Sequence, residues 1–305
     1  MNGDKDMMKE HKETSSPVRR MEARGFYAGD CQAQMETFLA GYKLPADLPQ
    51  PLRGAALPHA GWRYSGRVAA HTLSCFNRVT PAGQDSPQPK TVVIFGTSHC
   101  QGGIGHVLYP DGEWETPLGN LPVDESCGEA ILSAAGELLK VDRQAHSQEH
   151  SIEVLAPMVK YFFPESAIVP ILVQPEISAV ELGGVAARIT RRQDPAVIFL
   201  ASSDLTHYGP MFGLTPAGFG PEARAWLEAN DHRLIKVLCH GSGEGLLEEA
   251  RTGLNACGSG ALAALKGAIS VLGASEGRLI EYATSHDVEP EPVFRQAVGY
   301  AGVVF

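Results

Sequence analysis

The chain has 305 residues, 44% hydrophobic and 20% charged, with 33 Gly and 21 Pro spread without period. That is enough apolar material for a large core, and it excludes collagen-like and low-complexity chains. A formal net charge of -10 and a pI near 5.6 argue against a nucleic-acid partner, which demands a concentrated basic surface; Arg19-Arg20 and Arg191-Arg192 are isolated pairs. No apolar run approaches the roughly 18 residues of a membrane span, so a soluble protein with a small-molecule or peptide partner is expected.

Residues 1–24 read as a flexible, solvated tail, and residues 25–305 as one domain. Strand-like runs follow at Ala55–Leu57, Thr91–Phe95, Ile104–Leu108, Ile168–Val173, Val197–Ala201 and Val298–Phe305, each short, apolar and bounded by turn residues. Helical patterns lie between them. Ser65 and Asp124 each stand as a capping residue before one, and others span Ser151–Phe163, Ala179–Arg192, Glu222–Leu238 and Ser259–Leu272. Residues 80–90 and 209–221 read as loops. Alternation of this kind predicts an α/β domain with a mostly parallel central sheet flanked by helices.

Ligands of open α/β sheets bind beyond the carboxyl ends of the strands. Immediately after three of the predicted strands come Pro58-His59-Ala60-Gly61, Gly96-Thr97-Ser98-His99 and Ser202-Ser203-Asp204-Leu205-Thr206-His207. If those strands are parallel, His59, His99, Asp204 and His207 share one sheet edge. His150, in Glu149-His150-Ser151, stands where a helix pattern begins. Cys257, in Ala256-Cys257-Gly258, precedes an Ala-rich helix, a position that favours the thiolate. The Gly258-Ser259-Gly260 turn is read as close packing ahead of a phosphate cradle.

Two chemistries fit this set. In one, His59, His99 and Cys257 hold a divalent metal and leave positions open, with Asp204 and His207 in acid/base or orienting roles. In the other, Cys257 is a nucleophile activated by His207 or His150, as in a thiol hydrolase or transferase. The second leaves His59 and His99 without a role. The six cysteines form no CxxC pair and the chain opens without a signal-peptide pattern, so reduced thiols and a cytoplasmic setting are expected.

These residues, in this order, resemble the Memo-like protein family, also called AmmeMemoRadiSam system protein B. The resemblance rests on Pro58–Gly66, Gly96–His99, Glu149–Glu153, Ser202–His207 and Ala256–Gly258, with Arg24-Gly25-Phe26-Tyr27 similar to the family's opening motif. It implies a fold like that of class III extradiol dioxygenases with a metal pocket, iron or copper being the expected ion and zinc the alternative. His59 and His99 match the imidazole ligands and Cys257 the third position, where the dioxygenases carry glutamate. Asp204, His207 and His150 match pocket residues. The resemblance also implies radical-SAM and AMMECR1-like partner proteins. For eukaryotic relatives it implies an adaptor role, in which Tyr27, Trp62 and Tyr64 would form a peptide or phospho-ligand surface.

Overall fold

The computed structural model describes residues 17–27, 29–77, 88–99, 105–274 and 276–305. In chain order they form β1 (Val18–Arg19), α1 (Cys31–Leu39), β2 (Gly54–Leu57), α2 (Trp62–Ser74), β3 (Thr91–Thr97), β4 (His106–Leu108), β5 (Glu113–Trp114) and β6 (Leu121–Pro122). Then come α3 (Glu125–Ala135), β7 (Leu139–Val141), α4 (Arg143–Ser147), α5 (Ala156–Phe162), β8 (Ala167–Val173), α6 (Ser178–Gln193) and β9 (Ile198–Ser202). The last third holds β10 (His207–Tyr208), α7 (Pro221–His240), α8 (Gly243–Gly253), α9 (Ser259–Leu272), β11 (Arg278–Thr284), α10 (Ser285–Val288) and β12 (Ala297–Val304).

The main sheet has the order β10-β12-β2-β9-β3-β8-β4-β7, with β11 also paired to β12. Its centre, β2-β9-β3-β8, is wholly parallel, whereas β12 joins β2 and β4 joins β8 in antiparallel fashion. The sheet is therefore mixed, a parallel centre with antiparallel flanks. Every residue of β3 and β9 is buried, as strands covered on both faces must be. One face packs against α3, α6, α7, α8 and α9, the other against α1, α2 and α5. Each Leu, Ile or Phe fully buried between these layers contributes about 1.5–3 kcal/mol.

Local signals explain the helix bounds. Asp124 caps α3 by accepting the Cys127 amide, and Gly136 stops it at φ 58°, a left-handed conformation that favours glycine. The α2 helix begins at Trp62, three residues before Ser65, because Gly61 supplies its N-cap. The Ser151–Phe163 pattern yields a helix only from Ala156; Ser151–Leu155 are turns. Here Ser151 and Glu153 commit their side chains to distant backbone. Ile104 and residues 80–87 lie outside the described residues.

The stretch before Gly25 departs from the expected solvated tail. Val18 and Arg19 pair with β5 in a small second sheet, and Arg19 is buried. Its guanidinium pairs with Glu153 at 2.8 Å and donates to the carbonyls of His146 and Glu149. Residues 1–16 lie outside the described residues. Among the described residues, no helix is long and apolar enough to cross a membrane.

Candidate metal centre

Three neighbouring parallel strands deliver the site. With β9 lying between β2 and β3, their carboxyl ends carry His59, Asp204 and His99 to one edge of the sheet. The loop before α5 adds His150, and the turn before α9 adds Cys257. The ligand atoms of His59, His99 and Cys257 all lie within 4.8 Å of one another, and so do those of His99, Glu149 and His150. The three imidazoles form one cluster. His99 and His150 stack with centroids 4.6 Å apart, and His59 meets His99 edge-on at 5.1 Å.

Hydrogen bonds set the histidine tautomers. The Ser202 hydroxyl donates to the Ser151 carbonyl at 2.6 Å, so at 2.8 Å it accepts from Nδ1–H of His59. The lone pair of His59 therefore sits on Nε2, 3.3 Å from Cys257 Sγ. Burial, then the neighbouring His99 and His150, hold the His59 pKa well below the usual value, which keeps the ring neutral, the ligand form. For His99 the Glu149 carboxylate accepts from Nδ1 at 2.9 Å and from the backbone amide at 2.6 Å. Burial alone would raise Glu149, but these bonds, the charge of His99 and the Ser151 amide outweigh it and hold the carboxyl at about 2. An ionised acid that locks an imidazole in this way is the usual support of a metal-binding histidine.

Cys257 departs from the expected activated thiol. It sits just ahead of α9, yet burial and the nearby Asp204 push its pKa up, against the hydrogen bonds from the Asp204 amide and Ser203. Desolvation outweighs the helix end, and a cation held beside the sulfur is what would reverse it. Asp204 is buried too, its pKa raised by desolvation against the pull of His207 and the His59 and Ala60 amides. One oxygen, Oδ1, accepts both amides, at 2.8 and 3.1 Å, so this carboxylate fixes the loop that carries His59. His150 is half-buried, and burial followed by His99 lowers its pKa, with Glu149 opposing. His207 stands further out, packed edge-on against Phe212 at 5.0 Å.

Of the three aromatic residues expected at a binding surface, Tyr27 and Trp62 are buried and Tyr64 is half-buried. Trp62 is buried and its indole N–H donates to the Val154 carbonyl at 2.9 Å. Tyr27 is buried, its hydroxyl donating to Glu153, and Tyr64 hydrogen-bonds Glu289 at 2.6 Å. The Gly258-Ser259-Gly260 turn is close-packed as expected: a Cβ at Gly258 would stand 2.3 Å from the Ser202 carbonyl, and one at Gly260 2.4 Å from that of Gln174. Sequence reasoning misses Glu149, Ser151 and Ser202. Glu149 adjoins His150 and is visible as a carboxylate beside a histidine, whereas nothing local marks Ser202 as the partner of His59.

The model of the family described as Memo-like protein matches residues 23–304. A MEMO1 family protein of Methanopyrus kandleri is 34% identical over 271 residues, covering 86% of this chain and 88% of that protein. Another, from Methanococcoides burtonii, is 35% identical over 255 residues, covering 82% and 85%. Among solved structures, an uncharacterized protein from Escherichia coli K12 aligns with 83% of this chain and 99% of its own at a TM-score of 0.47 and 14% identity. On the family match and the identity of these relatives over most of its length, the chain belongs to the Memo-like protein family.

Proposed function

We propose that the chain is a metal-dependent redox enzyme in which His59, His99 and Cys257 hold iron or copper, with zinc the alternative, and that it acts on a small molecule or a modified side chain. The convergence of one thiol and two imidazoles within 4.8 Å carries this reading. The 3.3 Å separation of Cys257 Sγ and His59 Nε2 suits two donors on one ion with bonds of about 2.0–2.3 Å. A thiolate with two imidazoles favours soft and borderline ions over magnesium or calcium. It also separates this site from the glutamate-bearing dioxygenases, so aromatic ring cleavage is not part of the proposal.

A redox ion held there would supply electron exchange and Lewis acidity. The chain's own groups do the rest. Ser202 and Glu149 fix the two imidazoles, and Asp204 clamps the His59 backbone. His150, neutral, half-buried and stacked on His99, is placed to take or return a proton. His207 and Phe212 form an outer wall that a substrate would meet first.

Elemental analysis of protein purified without oxygen tests this reading. Near-stoichiometric iron or copper in the wild type, lost in both His59→Ala and Cys257→Ser, is expected. Ser202→Ala should keep the ligands but weaken metal affinity about 10–100-fold, because the His59 tautomer is no longer held. Metal-free wild type that also resists reconstitution with iron, copper and zinc would overturn the proposal.

A further inference from the structure

The carboxyl-terminal half of α9 carries a second, separate feature. Lys266 lies seven residues beyond Ser259, about 10 Å along the helix, and is only 6% exposed. Among the described residues it has no carboxylate partner and no hydrogen-bond acceptor; its ammonium stands over the Phe305 ring at 5.1 Å. Burial lowers its pKa, with Cys239 opposing. Its stem is enclosed while the ammonium keeps an edge on solvent, partly desolvated and without a carboxylate beside it among the described residues, which is a costly state for a cation.

The lysine lines a cavity of about 530 Å³ where the α7–α8 corner meets α9. The same cavity is lined by Gly243 and Glu244, the first turn of the 11-residue helix α8. Ser242 caps that helix by accepting the Gly245 amide at 3.1 Å. The amides of Gly243 and Glu244 have no acceptor among the described residues, and such N–H groups favour an anion. Ser270 adds a hydroxyl and His240 an imidazole. The exposed Glu244 carboxylate is the one opposing charge among the described lining residues.

We propose that this cavity binds a small phosphate-bearing anion, with the phosphate held by Lys266 and the first-turn amides of α8. An ammonium with three donors, two amides and a hydroxyl supply more hydrogen bonds than a carboxylate has oxygens to accept, and they suit a dianion with three terminal oxygens. The volume admits a small molecule and no more.

Calorimetric titration of the full chain with inorganic phosphate tests the site. Saturation below about 1 mM is expected. Lys266→Met should weaken binding at least tenfold while leaving the metal content at His59 unchanged. Glu244→Gln, an exposed change that leaves the fold alone, should tighten binding at least twofold. Acetate should bind far more weakly than phosphate. Glycerol 3-phosphate binding more tightly than phosphate supports an esterified ligand and equal binding the free ion, and both support the site. Absence of saturation, wild-type affinity in Lys266→Met, unchanged affinity in Glu244→Gln, or acetate equal to phosphate would each overturn it.

Discussion

Arg19 and Lys266 are two cations buried to the same degree, each 6% exposed, in opposite circumstances. The Arg19 guanidinium meets the Glu153 carboxylate, the carbonyls of Arg20, His146 and Glu149, and the face of Trp114 at 4.2 Å. Lys266 meets an aromatic ring and a cavity. Exposure alone therefore does not tell a structural charge from a functional one; the destination of the donors does. The saturated cation ties the amino-terminal strand to the loop of Glu149 and His150. The unsaturated one waits on a ligand.

Breaking the saturated side should have the largest effect. Arg19→Met strands the Glu153 carboxylate, which still accepts the Glu22 and Ala23 amides and the Tyr27 hydroxyl. Removing one partner of a buried pair costs about 3–5 kcal/mol, read as a lowered denaturant midpoint. Because the carbonyl of Glu149 loses its donor, the metal affinity of the site should fall as well. The double variant Arg19→Met, Glu153→Gln should recover part of the stability. If Arg19→Met alone costs nothing, the pair does not organise this loop.

His146 sits beside Arg19 and gives the comparison a pH axis. It is wholly buried, and burial above all, with Arg19 adding, lowers its pKa to about 3 against the favourable Val107 carbonyl. Its Nε2 is 3.2 Å from that carbonyl, and Nδ1 has no partner among the described residues. The unfolded chain takes up this proton near pH 6.5 and the folded chain only near 3. Stability present above about pH 6.5 is therefore lost progressively as pH falls toward 3, by up to about 5 kcal/mol. His146→Gln should flatten that part of the pH profile relative to wild type. An unchanged slope would show that the ring takes a proton without leaving the fold.

Which of these features the sequence discloses follows from how each is encoded. His59, His99 and Asp204 stand directly after apolar runs, and a parallel sheet brings such positions together whatever else the fold does. Helix α9 is legible from Ser259 to Leu272 because its small and apolar residues run unbroken but for Lys266. The Arg19–Glu153 pair spans 134 residues, and no local pattern announces a partner so distant. Helix α8 is harder to read because three glycines interrupt a short segment of good helix formers, and its Ser242 cap and packing on α9 offset their cost. The raised Cys257 pKa is illegible for a related reason. The helix end is local, but the desolvation that overrides it comes from the whole fold.

The smallest effect sharpens the comparison most, because its sign depends on the solution. In buffer free of phosphate, Lys266→Met removes an unpaired buried cation and keeps an unbranched side chain of similar reach, so the variant should gain about 1 kcal/mol over wild type. Phosphate stabilises the chain that binds it by RT ln(1 + [L]/Kd), about 2.7 kcal/mol at a hundredfold excess over Kd. Wild type should therefore overtake the variant as phosphate rises, and the two melting curves should cross. Arg19→Met should show no such crossing, since its donors are already taken. If Lys266→Met is the less stable chain even without phosphate, the stack on Phe305 suffices to hold the lysine, and the two cations are both structural.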